Sequence, residues 1–135
     1  MEARLVVCAL SVSIDQRSNS LSLFNIVEDL NVPAFPFAIP YMALAIMLTK
    51  TADEPSEPRN VSLHCHLEGE QLFRGVLAPN FQQHLRVRLV VDIQALVVPR
   101  PGLLRVSAYE DDRELGAWQI SVNNVGPAAV LNPGS

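Results

Sequence analysis

Apolar side chains recur at every second residue through most of this chain, and the clearest run is Val61-Ser62-Leu63-His64-Cys65-His66-Leu67-Glu68. Val61, Leu63, Cys65 and Leu67 share one face, and Ser62, His64, His66 and Glu68 share the other, the pattern of a half-buried β-strand. Residues 5–14 alternate in the same way, with Val6, Cys8, Leu10, Val12 and Ile14 in phase. The polar stretch 15–20 then predicts a turn between antiparallel neighbours. Residues 21–32 predict a second strand, bulged near Asn25, because the apolar set changes phase between Leu21/Leu23 and Phe24/Ile26. Pro33, Pro36 and Pro40 remove backbone donors from 31–40, so that segment predicts a corner where the chain changes sheets.

Residues 41–50 are the most apolar run, with Met42, Leu44, Ile46 and Leu48 facing one way and Ala43, Ala45 and Met47 the other. Ala, Met and Leu also suit a short helix, and Pro40 suits its start. A strand is the expectation, because a lone helix here would interrupt the run of strands. Residues 51–60 predict an exposed acidic loop. Strands follow over 61–68 and 71–77, joined at Glu68-Gly69-Glu70. Another spans 85–98, with Leu85, Val87, Leu89, Val91 and Ile93 inward and His84, Arg86 and Arg88 outward. After a turn at Pro99-Arg100-Pro101-Gly102, strands 103–110 and 114–122 form a hairpin around Asp111-Asp112-Arg113. Val106, Ala108, Trp118, Ile120 and Val122 face inward there. The whole predicts one all-β domain over 1–122, a two-layer antiparallel β-sandwich of about seven to nine strands. Residues 123–135 predict a poorly ordered tail.

Composition narrows the class. A chain of 135 residues buries roughly 65–70% of its unfolded surface, so it needs neither a disulfide nor a metal to fold. With 49% hydrophobic and 18% charged residues, few charges are available to solvate its surface, which favours association. A net charge of −4 argues against nucleic-acid binding. The first residues make a poor signal peptide, and no apolar run reaches the roughly 18 residues of a spanning helix. A cytoplasmic protein that does not enter a membrane is the expectation. Cys8 and Cys65 both lie in strand patterns, where free buried thiols are the default. A disulfide between them is the rival reading, and it depends on a separation that spacing does not fix.

Candidate chemistry is sparse. His64 and His66 share a strand face, but two ligands do not make a zinc site, and Cys65 points the other way. His84 completes a set only if its strand is adjacent. Glu110-Asp111-Asp112 with Glu114 gathers carboxylates at a loop tip, and Asp53-Glu54-Ser56-Glu57 forms a second acidic loop. Calcium needs six to eight oxygens, and nothing in the spacing places the two loops together. Arg86, Arg88 and Arg105 predict a basic stripe on neighbouring strands, fit to meet an acidic partner or to pair with carboxylates across strands. Phe81 and Tyr109 are stacking candidates for a sugar, whereas Trp118 and Phe73 suit the core. No Gly-x-Ser-x-Gly elbow, Gly-rich phosphate loop, His-Glu-x-x-His or Cys-x-x-Cys is present. No catalytic, cofactor-binding or metal residue is assigned.

The order of these signals resembles a family of uncharacterised bacterial proteins catalogued as a domain of unknown function. The likeness is carried by Val7-Cys8, Ser22-Leu23-Phe24-Asn25-Ile26, Pro33-Ala34-Phe35-Pro36, Leu67-Glu68-Gly69, the turn from Pro99 to Gly102, and Ile120-Ser121-Val122. It spans about residues 5–122. Asp111-Asp112 stands where the family pattern has an Asp-Gly turn, and the 51–60 loop is longer. The resemblance implies a compact sandwich of immunoglobulin-like or C2-like shape and carries over no functional residues.

On these grounds the expectation is a non-catalytic protein-interaction or accessory module without a cofactor. Small-ligand or carbohydrate binding at loop tips is the alternative, and a hydrolase comes third. A two-layer sandwich covers one face of each sheet, so the outer set Tyr41, Ala43, Ala45 and Met47 needs another cover. The tail, the 31–40 corner and a second subunit (a homodimer through the outer face of 41–50) are the candidates.

Overall fold

A computed structural model describes residues 1–54 and 59–125. Its elements are nine strands: β1 (Glu2–Ile14), β2 (Leu21–Ile26), β3 (Asp29–Val32), β4 (Phe37–Thr49), β5 (Val61–Leu67), β6 (Glu70–Leu77), β7 (Arg86–Val98), β8 (Gly102–Glu110) and β9 (Arg113–Asn124). They form two sheets, ordered β2-β1-β4-β7 and β3-β9-β8-β5-β6. One core lies between them, built from Cys8, Met42, Leu44, Ile46 and Leu48 on the first sheet and Val61, Cys65, Leu67, Leu104, Val106 and Ile120 on the second. Those are the faces that alternation assigned to the interior.

Residues 41–50 are strand, within β4, and their two faces divide as expected: Leu44 pairs with Cys8 and Val91 on the core side, and Ala45 with Val7 and Val90 on the other. β4 begins earlier than the prolines predict, because Phe37, Ala38 and Ile39 already pair with β7. Pro40 is tolerated there because β1 pairs with β4 only as far as Ala9 and Ala43, leaving that side of Pro40 without a ladder. Opposite it, Ala95 takes a positive φ of 53°. Ile39 and Met42 both reach the core across this point, as do Ile93 and Leu96, so both strands change phase together.

The single strand predicted over 21–32 is two. β2 stays beside β1, and the chain crosses at Val27-Glu28 to the other sheet, where β3 pairs with β9 in parallel, the one parallel ladder among the described residues. The sheet change therefore falls before the proline-rich segment, which carries the chain back. Three bonds hold the crossing: Val27 N–H donates to the Cys8 carbonyl (2.8 Å), Ser121 N–H to the Glu28 carbonyl (3.0 Å) and Trp118 Nε1–H to the Val27 carbonyl (2.7 Å).

The turns follow side-chain chemistry. Glu68 and Gly69 both have positive φ, 48° and 88°, between the paired residues Leu67 and Glu70, the geometry that matches strand twist in a two-residue hairpin. Asp111-Asp112 also makes a two-residue connection between Glu110 and Arg113, with Asp111 at φ 53°. Asp accepts the left-handed region better than most residues. β9 continues to Asn124, and Val125 N–H donates to the Val32 carbonyl. The rest of the predicted tail, 126–135, lies outside the described residues. Cys8 and Cys65 are free and buried. Among the described residues no helix is long and apolar enough to cross a membrane.

Candidate functional site

The chain itself covers the middle of β4's outer face, at Ala43 and Ala45, while Tyr41 stays exposed. β1 parts from β4 after Ala9 but stays paired with β2 out to Ile14 and Leu21, so residues 10–26 form a two-stranded ribbon. Asn25 sits at its base with a positive φ of 56°. The ribbon folds back over the sheet. At its tip Asn19 Oδ1 accepts a hydrogen bond from Arg88 Nη2 at 2.5 Å, and Ile14 and Asn19 border one cleft with Met47, Thr49 and Arg88. Val7, Ala9, Ala43 and Ala45 are accordingly buried although they lie outside the central core. Small side chains at these positions let the ribbon lie close. Val12, Leu21 and Leu23 on the ribbon are half-buried, whereas Ser11, Ser13, Ser22 and Phe24 stay exposed, as a period of two requires of a ribbon with one covered face.

The cleft beside the ribbon tip encloses about 780 Å³. Lys50, His84, Arg86 and Arg88 supply its basic side chains, Asn19 and Thr49 its neutral polar ones, and Ile14, Met47 and Leu85 an apolar wall. Val87 also borders it, although its side chain packs on the core. No Asp or Glu lines it. β4 and β7 set the positions, since Thr49 pairs with Arg86 and Met47 with Arg88. Lys50 is drawn to one side: its Nζ donates to the Glu54 carbonyl (3.4 Å) and lies 6.0 Å from the centre of the Phe81 ring. Leu85 was expected inward; it precedes β7 and is exposed at this cleft instead. A second cleft, about 450 Å³, opens between the edges of β6 and β7 and is lined by Leu72, Phe73, Ile93 and Leu96 among others.

The other candidates separate. Arg86 and Arg88 lie on the first sheet, but Arg105 lies on β8 of the second, where it forms an ion pair with Glu114. The three-residue stripe does not exist, and Arg105 takes the cross-strand pairing weighed against it. His64 packs against Tyr109 with ring centres 4.8 Å apart and stands 5.9 Å from His66. Burial, with the charges of Arg74 and His66 beside it, holds the His64 imidazole below its usual range. Cys65 points into the core, and His84 borders the basic cleft on the other sheet, so the three histidines do not converge. Among the described residues no group of three or more His, Cys, Asp or Glu side chains could hold a metal. Phe81 is 5% exposed and has no face left for a sugar.

The two acidic loops do come together, which spacing could not show. Arg59 Nη1 lies 2.9 Å from Glu110 and 3.5 Å from Glu54, Arg113 bonds the other Glu110 oxygen at 3.1 Å, and the Met1 amino group reaches Glu54 at 2.5 Å. These carboxylates serve ion pairs. Ser56 and Glu57 of the second acidic loop lie outside the described residues.

Comparison with known protein families matches residues 5–123 to a family of unknown function, DUF6941. No curated protein matches the chain.

Proposed function

Because the chain belongs to this family of unknown function, we propose from its own geometry that it is a non-catalytic protein-interaction module, working through the β1–β2 ribbon. The observation that carries the reading is where the exposed large hydrophobic side chains fall. Leu10 (46% exposed), Ile14, Phe24 (51%) and Ile26 (47%) all belong to this ribbon, four of ten such residues on the described surface. Phe24 stands on the ribbon's open face beside Ser11 and Ser22, with Ile26 next to it at the base, whereas Leu10 and Ile14 alternate with half-buried Val12 on the other face. Phe24 and Ile26 therefore mark the contact surface.

β2 is also an edge strand. Its free side presents backbone N–H and C=O groups that an extended segment of another protein can pair with, while Phe24 and Ile26 flank the new ladder. The partner is therefore a protein offering an extended, apolar-flanked strand. A homodimer through the outer face of 41–50 would meet the ribbon there, so a second copy is read as docking on the ribbon instead.

The test is Phe24→Asp/Ile26→Asp, two changes at half-exposed positions. Affinity capture from the host and sedimentation at high micromolar concentration should lose the partner, or self-association, at unchanged thermal midpoint. Capture and sedimentation identical to wild type would overturn the reading.

A further inference from the structure

The basic cleft shares Ile14 and Asn19 with the ribbon but includes neither Phe24 nor Ile26, and it points to a ligand of its own. The chain contains 14 acidic and 10 basic residues, and the fold gives most arginines a carboxylate. Arg4, Arg59, Arg100, Arg105 and Arg113 each form an ion pair with a glutamate. Arg86 and Arg88 form none among the described residues, although they stand on the same face of β7 and line the same cleft. Arg88 is half-buried, and its partner, the Asn19 side-chain carbonyl, is uncharged. The bond orients the guanidinium without neutralising it.

We propose that this cleft binds a multiply charged oxyanion of the phosphate class, carried on a small organic body. Residues i and i+2 of a strand are roughly 7 Å apart, so the Arg86 and Arg88 forks approach one phosphate group from the same side. Each fork offers paired N–H donors to two oxygens, the geometry in which guanidinium outperforms a point charge. His84 and the Thr49 hydroxyl add donors at the rim. Concavity and the absence of carboxylates from the lining concentrate positive potential on a molecule that is negative overall. The apolar wall of Ile14, Met47 and Leu85 takes the organic part, and about 780 Å³ is within the range that holds a small-molecule ligand. A phosphate monoester and free inorganic phosphate share this chemistry, and they differ in their use of that wall.

Calorimetric titration of the full chain decides it, with inorganic phosphate, pyrophosphate and adenosine monophosphate as probes against sodium chloride at matched ionic strength. Saturable binding is expected for pyrophosphate or the monophosphate. Arg86→Gln and Arg88→Gln should each weaken it at least tenfold. Arg74→Gln removes an exposed arginine that forms no ion pair among the described residues either but lies on the other sheet, and it should change binding less than twofold. Tighter binding of the monophosphate than of inorganic phosphate assigns the apolar wall to an ester. Equal binding leaves the anion site standing and removes the organic body. No heat beyond the chloride control, or equal losses in all three variants, overturns the site. None of these variants alters Phe24 or Ile26, so failure here and failure of the ribbon reading are separate results.

Discussion

Gly116 shows how one missing methyl sets the distance between two strands. A Cβ at this position would lie 2.8 Å from Val6 Cγ2 and 3.5 Å from the Ala3 Cβ, so β9 lies against β1 at a spacing that only glycine allows. Gly116→Ala should therefore destabilise by about 1–3 kcal/mol through overpacking. Val6→Ala in the same chain should recover part of that loss by removing the methyl in the way. Gly75 is the internal control, since a Cβ there meets nothing within 4 Å. Urea denaturation of the three variants checks the argument. A Gly116→Ala chain as stable as wild type, or as little affected as Gly75→Ala, would show that β1 yields freely.

At the scale of elements, the crossing at Val27-Glu28 decides most about the molecule's shape. It ends the ribbon, starts β3 and ties both sheets at one place. Trp118 contributes a polar function there besides its bulk, because its indole N–H is the donor to the Val27 carbonyl. Trp118→Phe keeps most of the ring and deletes that donor. The part-buried carbonyl then lacks its partner, a loss of about 1 kcal/mol. Amide exchange should also quicken at Val27 and Ser121, whose N–H groups bond across the crossing. Unchanged protection at both, with global stability intact, would mean that the other two bonds hold the crossing alone.

For the whole molecule, stability should fall on both sides of neutrality, for different reasons. The Met1 amino group, with the Thr51 N–H and Arg59 beside it, holds the Glu54 carboxyl below the usual range. Burial works to raise Glu110, and the hydrogen bonds from Arg59 and Arg113 outweigh it, so Glu110 is lowered as well. Carboxyls depressed in the fold stabilise it above their unfolded pKa, and that stability is lost as pH falls through the folded value. At the other end, burial pushes the Cys8 thiol, which also feels Cys65, and the Cys65 thiol from 9.0 up to about 12. A raised pKa leaves its contribution intact below pH 9 and removes it as pH rises toward 12. Thermal midpoints measured across pH should show both limbs. Arg59→Met should flatten the acid limb, and Cys8→Ala/Cys65→Ala the alkaline one. An acid limb as steep in Arg59→Met as in wild type would remove the ion-pair network as its cause.

Alternation along the chain was enough to identify β5 and to divide its faces, because a strand's period of two is local and needs no knowledge of neighbours. For 41–50 it divided the faces, but Ala, Met and Leu suit a helix as well, and only the surrounding run of strands favoured β4. Alternation also placed His84, Arg86 and Arg88 together on the outside, the β7 side of the basic cleft. That Asn19 meets them carried no signal, since a polar turn reads the same whether it extends into solvent or folds back over a sheet. Leu10 and Ile14 were in phase with Cys8 and were expected inside; they are exposed because β1 leaves the sandwich after Ala9. The split of 21–32, the separation of Arg105 from Arg86 and Arg88, and the union of Glu54 with Glu110 through Arg59 are long-range outcomes of the same kind. Residue pattern determines which side of a strand seeks cover. Only the assembled sheets determine what provides it, because many pairings satisfy the same alternation and the choice among them is made by packing between residues far apart in the chain.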